Sequence, residues 1–175
     1  NTVSSLVIYK HSELISGSYD ATIKIWNINS GECKRTLNGH TDFINLLVLN
    51  NNELISSSND KTILIWDINS GECKITLIGH TDLINSIVVK NRDELISGSN
   101  DKTIKIWDMR TGMCTKTLLG HTYFITTLMK YKNDLLISGS LDASIKIWNI
   151  RTGECKKTLK GHSNAITLLL LNKRI

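Results

Sequence analysis

The 175-residue sequence predicts an all-β fold made of four copies of one four-stranded antiparallel unit, and three observations predict it. First, four landmark series step by 40 or 41 residues: Trp26, Trp66, Trp107 and Trp148; Asp20, Asp60, Asp101 and Asp142; Cys33, Cys73, Cys114 and Cys155; and Gly-His at 39–40, 79–80, 120–121 and 161–162. Second, each repeat contains four short β-rich stretches divided by turn residues. Third, no stretch sustains the 3.6-residue period of an amphipathic helix.

The second repeat shows the elements in order. Strand one is Phe43-Ile-Asn-Leu-Leu-Val-Leu49, closed by the polar turn Asn50-Asn-Asn52. Strand two, Glu53-Leu-Ile-Ser-Ser57, runs into the tight turn Ser58-Asn-Asp60, and strand three is Thr62-Ile-Leu-Ile-Trp-Asp67. Asn69-Ser-Gly71 turns the chain back into strand four, Cys73-Lys-Ile-Thr-Leu77. Strand three is apolar on both faces. In the third repeat Ile104 and Ile106 point one way and Trp107 the other, because side chains alternate along a strand. A sheet apolar on both sides is buried on both sides, so each unit is expected to lie between two others. Strand four carries the basic residues Lys34, Arg35, Lys74, Lys116, Lys156 and Lys157, which suits an outer edge, where charge discourages edge-to-edge pairing.

Gly39-His40, Gly79-His80, Gly120-His121 and Gly161-His162, followed by Trp66-Asp67 and Trp107-Asp108 or the amide variants Trp26-Asn27 and Trp148-Asn149, carry a family resemblance. At roughly 40–45 residues per four-stranded blade, the chain resembles the WD-repeat β-propeller family over essentially its whole length. The resemblance implies one propeller segment over 1–175. Its four blades fall at about 3–37, 43–77, 84–118 and 124–159, and an extra first strand follows at 165–171. Four blades make a partial ring or half of a larger one. The remaining blades are expected from the same longer chain, or from a second copy in a homodimer.

Composition narrows the function classes. At 41% apolar and 21% charged residues, the chain is close to an average soluble domain. Its longest apolar run, 166–171, is far short of the about 20 residues of a membrane-spanning helix. The N-terminal segment has no basic start with a long apolar middle, so neither a secretion signal nor a membrane span is expected. The net charge of +5 is spread once per repeat instead of gathered on one face, which argues against a nucleic-acid partner. The four cysteines occupy one slot of four different repeats, too far apart to bridge. Free thiols fit a reducing compartment, so a cytoplasmic or nuclear location is expected.

Repeated polar residues could be read as a catalytic triad. Multiplication speaks against it, because an active site is built once and a framework in every repeat. The family resemblance implies a structural hydrogen-bond network in each blade: His40, Ser56, Asp60 and Trp66; His80, Ser97, Asp101 and Trp107; His121, Ser138, Asp142 and Trp148. Blade one has Ser16, Asp20 and Trp26, and its His falls before residue 1. A buried indole N–H needs an acceptor and a buried carboxylate needs donors, and hydroxyl and imidazole can link them. No phosphate loop, nucleophile elbow, zinc-protease helix or Cys-x-x-Cys pair occurs, and no histidine has a second ligand at metal-site spacing. The expectation is a protein that is not an enzyme, with no cofactor and no metal.

The resemblance places partner contacts on the face carrying the His loops and tight turns, at Tyr19, Asn59, Asn100 and Leu141 before the turn acids, and at Phe43, Leu83 and Phe124 before strand one. Phe, Tyr and Leu on a rigid loop platform suit a protein or peptide partner; Phe43, Leu83 and Phe124 could equally seal blade junctions. The expected function is a non-catalytic interaction scaffold. The competing reading is the ligand-sensing repeat portion of a larger signalling protein whose NTPase or kinase domain lies elsewhere.

Overall fold

The computed structural model describes residues 1–132 and 134–169. Sixteen strands form four antiparallel sheets, and no helix occurs among the described residues. Blade one is β1 (Val3–Tyr9), β2 (Glu13–Ser18), β3 (Ile23–Asn27) and β4 (Cys33–Leu37). Blade two is β5 (Ile44–Asn50), β6 (Glu53–Ser58), β7 (Ile63–Asp67) and β8 (Cys73–Leu77). Blade three is β9 (Ile84–Val89), β10 (Glu94–Ser99), β11 (Ile104–Asp108) and β12 (Cys114–Leu118), and blade four is β13 (Ile125–Tyr131), β14 (Leu135–Ser140), β15 (Ile145–Asn149) and β16 (Cys155–Leu159). In every sheet the strands pair in chain order. The all-β propeller architecture is the one the family resemblance implies.

The first strands of successive blades lie against one another, and the fourth strands stand outermost. The outer position explains the lysines: on β4 every residue but Leu37 is exposed, and β16 is exposed throughout.

Three apolar cores lie one at each blade junction. In the middle one, Ile63, Ile65 and Leu77 of blade two meet Ile84, Ile87, Leu95, Trp107 and Met109 of blade three. Ile104 and Ile106 belong to the next core, with Trp148 of blade four. Each third strand thus presents its tryptophan backward and its isoleucines forward. A bulge between Ile106 and Trp107, repeated at Ile25/Trp26, Ile65/Trp66 and Ile147/Trp148, bends the strand where the indole leaves it. Each fully buried aliphatic side chain stabilises by about 1.5–3 kcal/mol. No blade can collect that alone, because its faces are covered only by its neighbours.

Polar side chains stitch the inner strands. Asn45 Nδ2 donates to the Ile84 carbonyl (3.0 Å) and Asn85 Nδ2 to the Ile125 carbonyl (2.9 Å). Ser4 and Thr126 reach the carbonyls of Ile44 and Ile166 in the same way. The segment 165–171, read as an extra first strand, shows no strand ladder over 165–169, because no partner strand stands beside it among the described residues. Residues 170 and 171 lie outside the described residues. Ile166 still buries itself against blade four, and its N–H donates to the Ser140 carbonyl at 3.0 Å.

Candidate functional site

The residues singled out by their repetition fall into two groups, one inside the blades and one on the face above them. Inside, blades two to four each close the same circuit. In blade three, Trp107 Nε1–H donates to Ser97 Oγ (2.8 Å), Ser97 Oγ lies 2.7 Å from His80 Nε2, and His80 Nδ1 lies 2.7 Å from Asp101 Oδ2. Blade two repeats it through Trp66, Ser56, His40 and Asp60 at 2.8, 2.7 and 2.7 Å, and blade four through Trp148, Ser138, His121 and Asp142 at 2.8, 2.7 and 2.8 Å. Because a carboxylate only accepts, the histidine Nδ1 carries the proton. Nε2 then accepts from the serine hydroxyl, whose oxygen accepts from the indole.

Two elements bring these groups together. The register of β10 on β11 places Ser97 opposite Lys105 and Leu95 opposite Trp107, so the indole lies diagonally across from the hydroxyl. The loop arriving from the preceding blade supplies the histidine. Close packing requires the glycine before His40, because a Cβ on Gly39 would sit 2.8 Å from Cη2 of Trp66, and it is tight at Gly79 and Gly120, where the same contact would be 3.2 and 3.1 Å.

The carboxylates have partners the sequence reading missed. Asp101 Oδ1 accepts from Thr103 N–H (2.9 Å) and Oγ1 (2.7 Å), and Oδ2 also accepts from Thr81 N–H (3.1 Å). Thr62 and Ser144 do the same for Asp60 and Asp142. The signal was present as Asp-x-Thr or Asp-x-Ser, two residues apart, in all four repeats. Burial works against ionisation of Asp60 and Asp101, yet hydrogen bonds from His40 and Thr62, or His80 and Thr103, outweigh it and hold both well below the usual carboxylate range. Asp142 is lowered likewise, burial again being outweighed, here by Ser144 and Thr122 before His121. Burial pushes His121 below its ordinary value of 6.5, against the pull of Asp142.

Ser, His and Asp at these distances have the connectivity of a hydrolytic triad. What they lack is access. Ser56, Ser97 and Ser138 are 0% exposed, the histidine rings are closed off, and each serine oxygen is held by an indole. An attacking oxygen must reach substrate, and these cannot. Blade one is incomplete: Trp26 Nε1–H donates to Ser16 Oγ (2.8 Å) and Asp20 accepts from Thr22, but no histidine joins them among the described residues. No cluster of three or more His, Cys, Asp or Glu side chains with metal-binding geometry occurs among the described residues either.

The second group lies around the His loops and tight turns. The backbone ties its members in pairs: Asn59 N–H donates to the Phe43 carbonyl, Asn100 N–H to Leu83 and Leu141 N–H to Phe124, each at 2.9 Å. Tyr19 and Phe43 come from different blades and stack at 4.6 Å between ring centroids, 11° from parallel, with 41% and 44% of their surfaces exposed. A second stack joins Tyr123 to Phe124 at 4.3 Å, with Tyr123 46% exposed. Leu83, Phe124 and Leu141 are half-buried. Asn59 and Asn100 are engaged from below, their Oδ1 atoms accepting from Asn45 Nδ2 (2.9 Å) and Asn85 Nδ2 (2.6 Å). Tyr123 was missed in the sequence, where it stands in the place of Asp42 and Asp82 and is visible only by aligning the repeats.

Comparison with known proteins agrees with this architecture. The crystal structure of the computationally designed Ika8 protein superimposes with a TM-score of 0.87 at 33% identity, over 99% of this chain and 54% of that one. An uncharacterized WD repeat-containing protein of Schizosaccharomyces pombe is 49% identical over 39 residues, 22% of this chain and 11% of its own length. The nuclear distribution protein PAC1 of Arthroderma otae is 52% identical over 31 residues, 18% of this chain and 7% of its own length. The matched segments thus span about a tenth of these curated relatives. The pattern of the WD domain, G-beta repeat, matches residues 1–27, 31–67, 71–108 and 112–149. Four matches over most of the sequence, on four sheets of the same construction, make the chain a member of the WD domain, G-beta repeat family.

Proposed function

We propose that this chain is a non-catalytic scaffold that captures a protein or peptide segment on the face carrying the His loops. WD repeats generally mediate protein–protein interaction, and the stacked Tyr19–Phe43 pair carries the reading here. Two aromatic rings from neighbouring blades present exposed surface on loops that the network below holds in place. Rigid aromatic anchors lose little conformational freedom on binding and dominate interface energetics. Tyr123 and Phe124 supply a second anchor above blade four. The exposed thiols of Cys33, Cys73, Cys114 and Cys155 support a reducing location, cytoplasmic or nuclear.

A test is selection of peptides from a random library on the intact chain, followed by binding of the enriched sequences to a Phe43→Ser/Tyr123→Ser variant. Binding is expected to fall by tenfold or more, since losing one anchor removes about 1–2 kcal/mol. Enriched peptides that bind the variant as tightly as the parent would remove this face from consideration.

A further inference from the structure

On the opposite face, the first and third blade junctions share a bridging cation that the middle junction lacks. Where blade one meets blade two, Arg35 of β4 crosses the groove and its Nη1 donates to the Asn69 carbonyl at 2.7 Å, its stem packed over Gly71. Where blade three meets blade four, Lys116 of β12 holds the same position, donates to the Arg151 carbonyl and packs over Gly153. At the junction of blades two and three that position is Ile75. Its side chain packs towards Gly112 but has nothing to donate. The equivalent carbonyl, that of Arg110, receives no hydrogen bond among the described residues.

The consequence is a cleft. The groove between blades one and two, with Arg35 lying in it, has a volume of about 290 Å³; the one between blades two and three has about 630 Å³. Ile75 and Met109 give it an apolar floor. Its acids differ from the first junction too. Asp67 stands where blade one has Asn27, and Asp93, whose carbonyl accepts from Met109 N–H at 2.8 Å, stands where blade two has Asn52. Neither carboxylate has a cationic partner within salt-bridge distance among the described residues. Lys74 is committed to Glu53 at 2.5 Å, and Arg110 leans to Asp108 at 3.6 Å. Arg92 completes the rim.

We infer that this cleft is a binding site for an arginine side chain carried by an extended segment of a partner polypeptide. The two neighbouring junctions show the bound state within the molecule itself: an aliphatic stem along the floor and a cationic head on the turn carbonyl. Ile75 removes the built-in cation, and with Glu53 the acids Asp67 and Asp93 balance the lining's cations Lys74, Arg92 and Arg110, where the first junction sets Glu13 alone against Lys10, Lys34 and Arg35. A guanidinium fits better than an ammonium because it can satisfy the carbonyl and a carboxylate together with its fork of donors.

The probe is N-acetyl-arginine-methylamide, titrated into the isotope-labelled chain while backbone amide shifts are followed. Fast-exchange shifts are expected at Ile75, at Met109 to Gly112 and at Asn69 and Ser70, whose N–H groups donate to the Asp67 carboxylate (2.8 and 2.9 Å), and not at Arg151 to Gly153. Ile75→Arg, which restores the residue type of the first junction, is expected to reduce the response about tenfold. Arg35→Ile is expected to open a second responding site, read at Ser12, Glu13 and Ile25 of the first junction, an outcome that does not depend on the first variant folding. An unresponsive parent chain would overturn the proposal. So would shifts that survive Ile75→Arg, or equal shifts with the norleucine analogue, which would mark an apolar groove without charge recognition. Phe43→Ser/Tyr123→Ser is expected to leave this response untouched.

Discussion

Blade one and blade three are written in almost the same letters, Ser16-Gly-Ser-Tyr-Asp-Ala-Thr-Ile-Lys-Ile-Trp26 and Ser97-Gly-Ser-Asn-Asp-Lys-Thr-Ile-Lys-Ile-Trp107, yet they hold their tryptophans differently. Trp107 is sealed between blades and its serine is bound by His80; Trp26 is half-buried and Ser16 has no histidine. The first strands differ with them: Leu6 is 57% exposed, and its counterpart in blade two, Leu47, is 4% exposed. The network therefore belongs to the junction and not to the repeat. The histidine arrives from the loop of one blade, and the cover over the indole comes from the forward face of that same blade.

The largest test of that difference is a pair of substitutions. Trp107→Ala is expected to cost about 3–5 kcal/mol, the penalty for removing a fully packed aromatic. Trp26→Ala, already wet on one side, is expected to cost less than half as much. Urea unfolding of the two variants measures both, and equal losses would show that blade one shares the same core after all.

Next comes the carboxylate. Asp101→Asn is expected to destabilise by about 1–3 kcal/mol at pH 7, because His80 and Thr103 lose a charged acceptor. The pH profile sharpens this. A carboxyl whose folded pKa lies below its unfolded 3.8 contributes fully above 3.8, and the contribution drains away as pH falls towards the folded value. His121 works in the same direction at higher pH. Its folded pKa lies below 6.5, so the unfolded chain takes the proton first and stability declines as pH drops through and below 6.5. Asp101→Asn is expected to flatten the acid limb near pH 4, and Asp20→Asn, on an exposed turn where Thr22 and no histidine holds the carboxyl down, to flatten it less. A limb unchanged by Asp101→Asn would break the link between the network and acid stability.

The architecture could be read from the chain because the period, the turn residues and the two-faced third strand all state it in every copy. His80, Ser97, Asp101 and Trp107 could be picked out as a set because three blades repeat their spacing, and it was the family resemblance that implied a hydrogen-bond network among them. Tyr123, Ile75 and the Asn45 and Asn85 stitches were not legible. Tyr123 and Ile75 each depart from the repeat at a single blade, the stitch is made by a different residue type in the outer blades, Ser4 and Thr126, and the meaning of each depends on which neighbour lies across the junction. Repetition in sequence reports the framework, whereas the sites lie in its exceptions, and those need coordinates.

Ser57 is one such exception, smaller in expected effect. Blades one, three and four have Gly17, Gly98 and Gly139 at this position, and a Cβ on Gly98 would meet Ile125 Cγ2 at 2.6 Å. Blade two places a serine there, 0% exposed, whose Oγ has no hydrogen-bond partner among the described residues. Ser57→Ala keeps the Cβ and deletes the stranded hydroxyl, so it is expected to stabilise by about 1 kcal/mol. A midpoint that moves down would mean the hydroxyl is satisfied in solution.

The smallest effect is set by the tight turns, where the residue after each acid lies in the left-handed region: φ is 67° at Ala21, 71° at Lys61, 70° at Lys102 and 62° at Ala143. Left-handed backbone costs an L-residue about 1 kcal/mol, and glycine adopts it freely at the expense of a more flexible unfolded chain. Lys102 is exposed, and the hydrogen bonds of its turn run through its backbone and Asp101, so little but the strain should change on substitution. Lys102→Gly is therefore expected to gain about 0.5 kcal/mol, read as a rise in the urea midpoint at constant slope. Ala21→Gly in blade one should gain the same amount, because strain in a turn is paid locally whether or not a histidine stands above it. A gain in blade three without one in blade one would mean that the network, and not the turn alone, fixes that backbone.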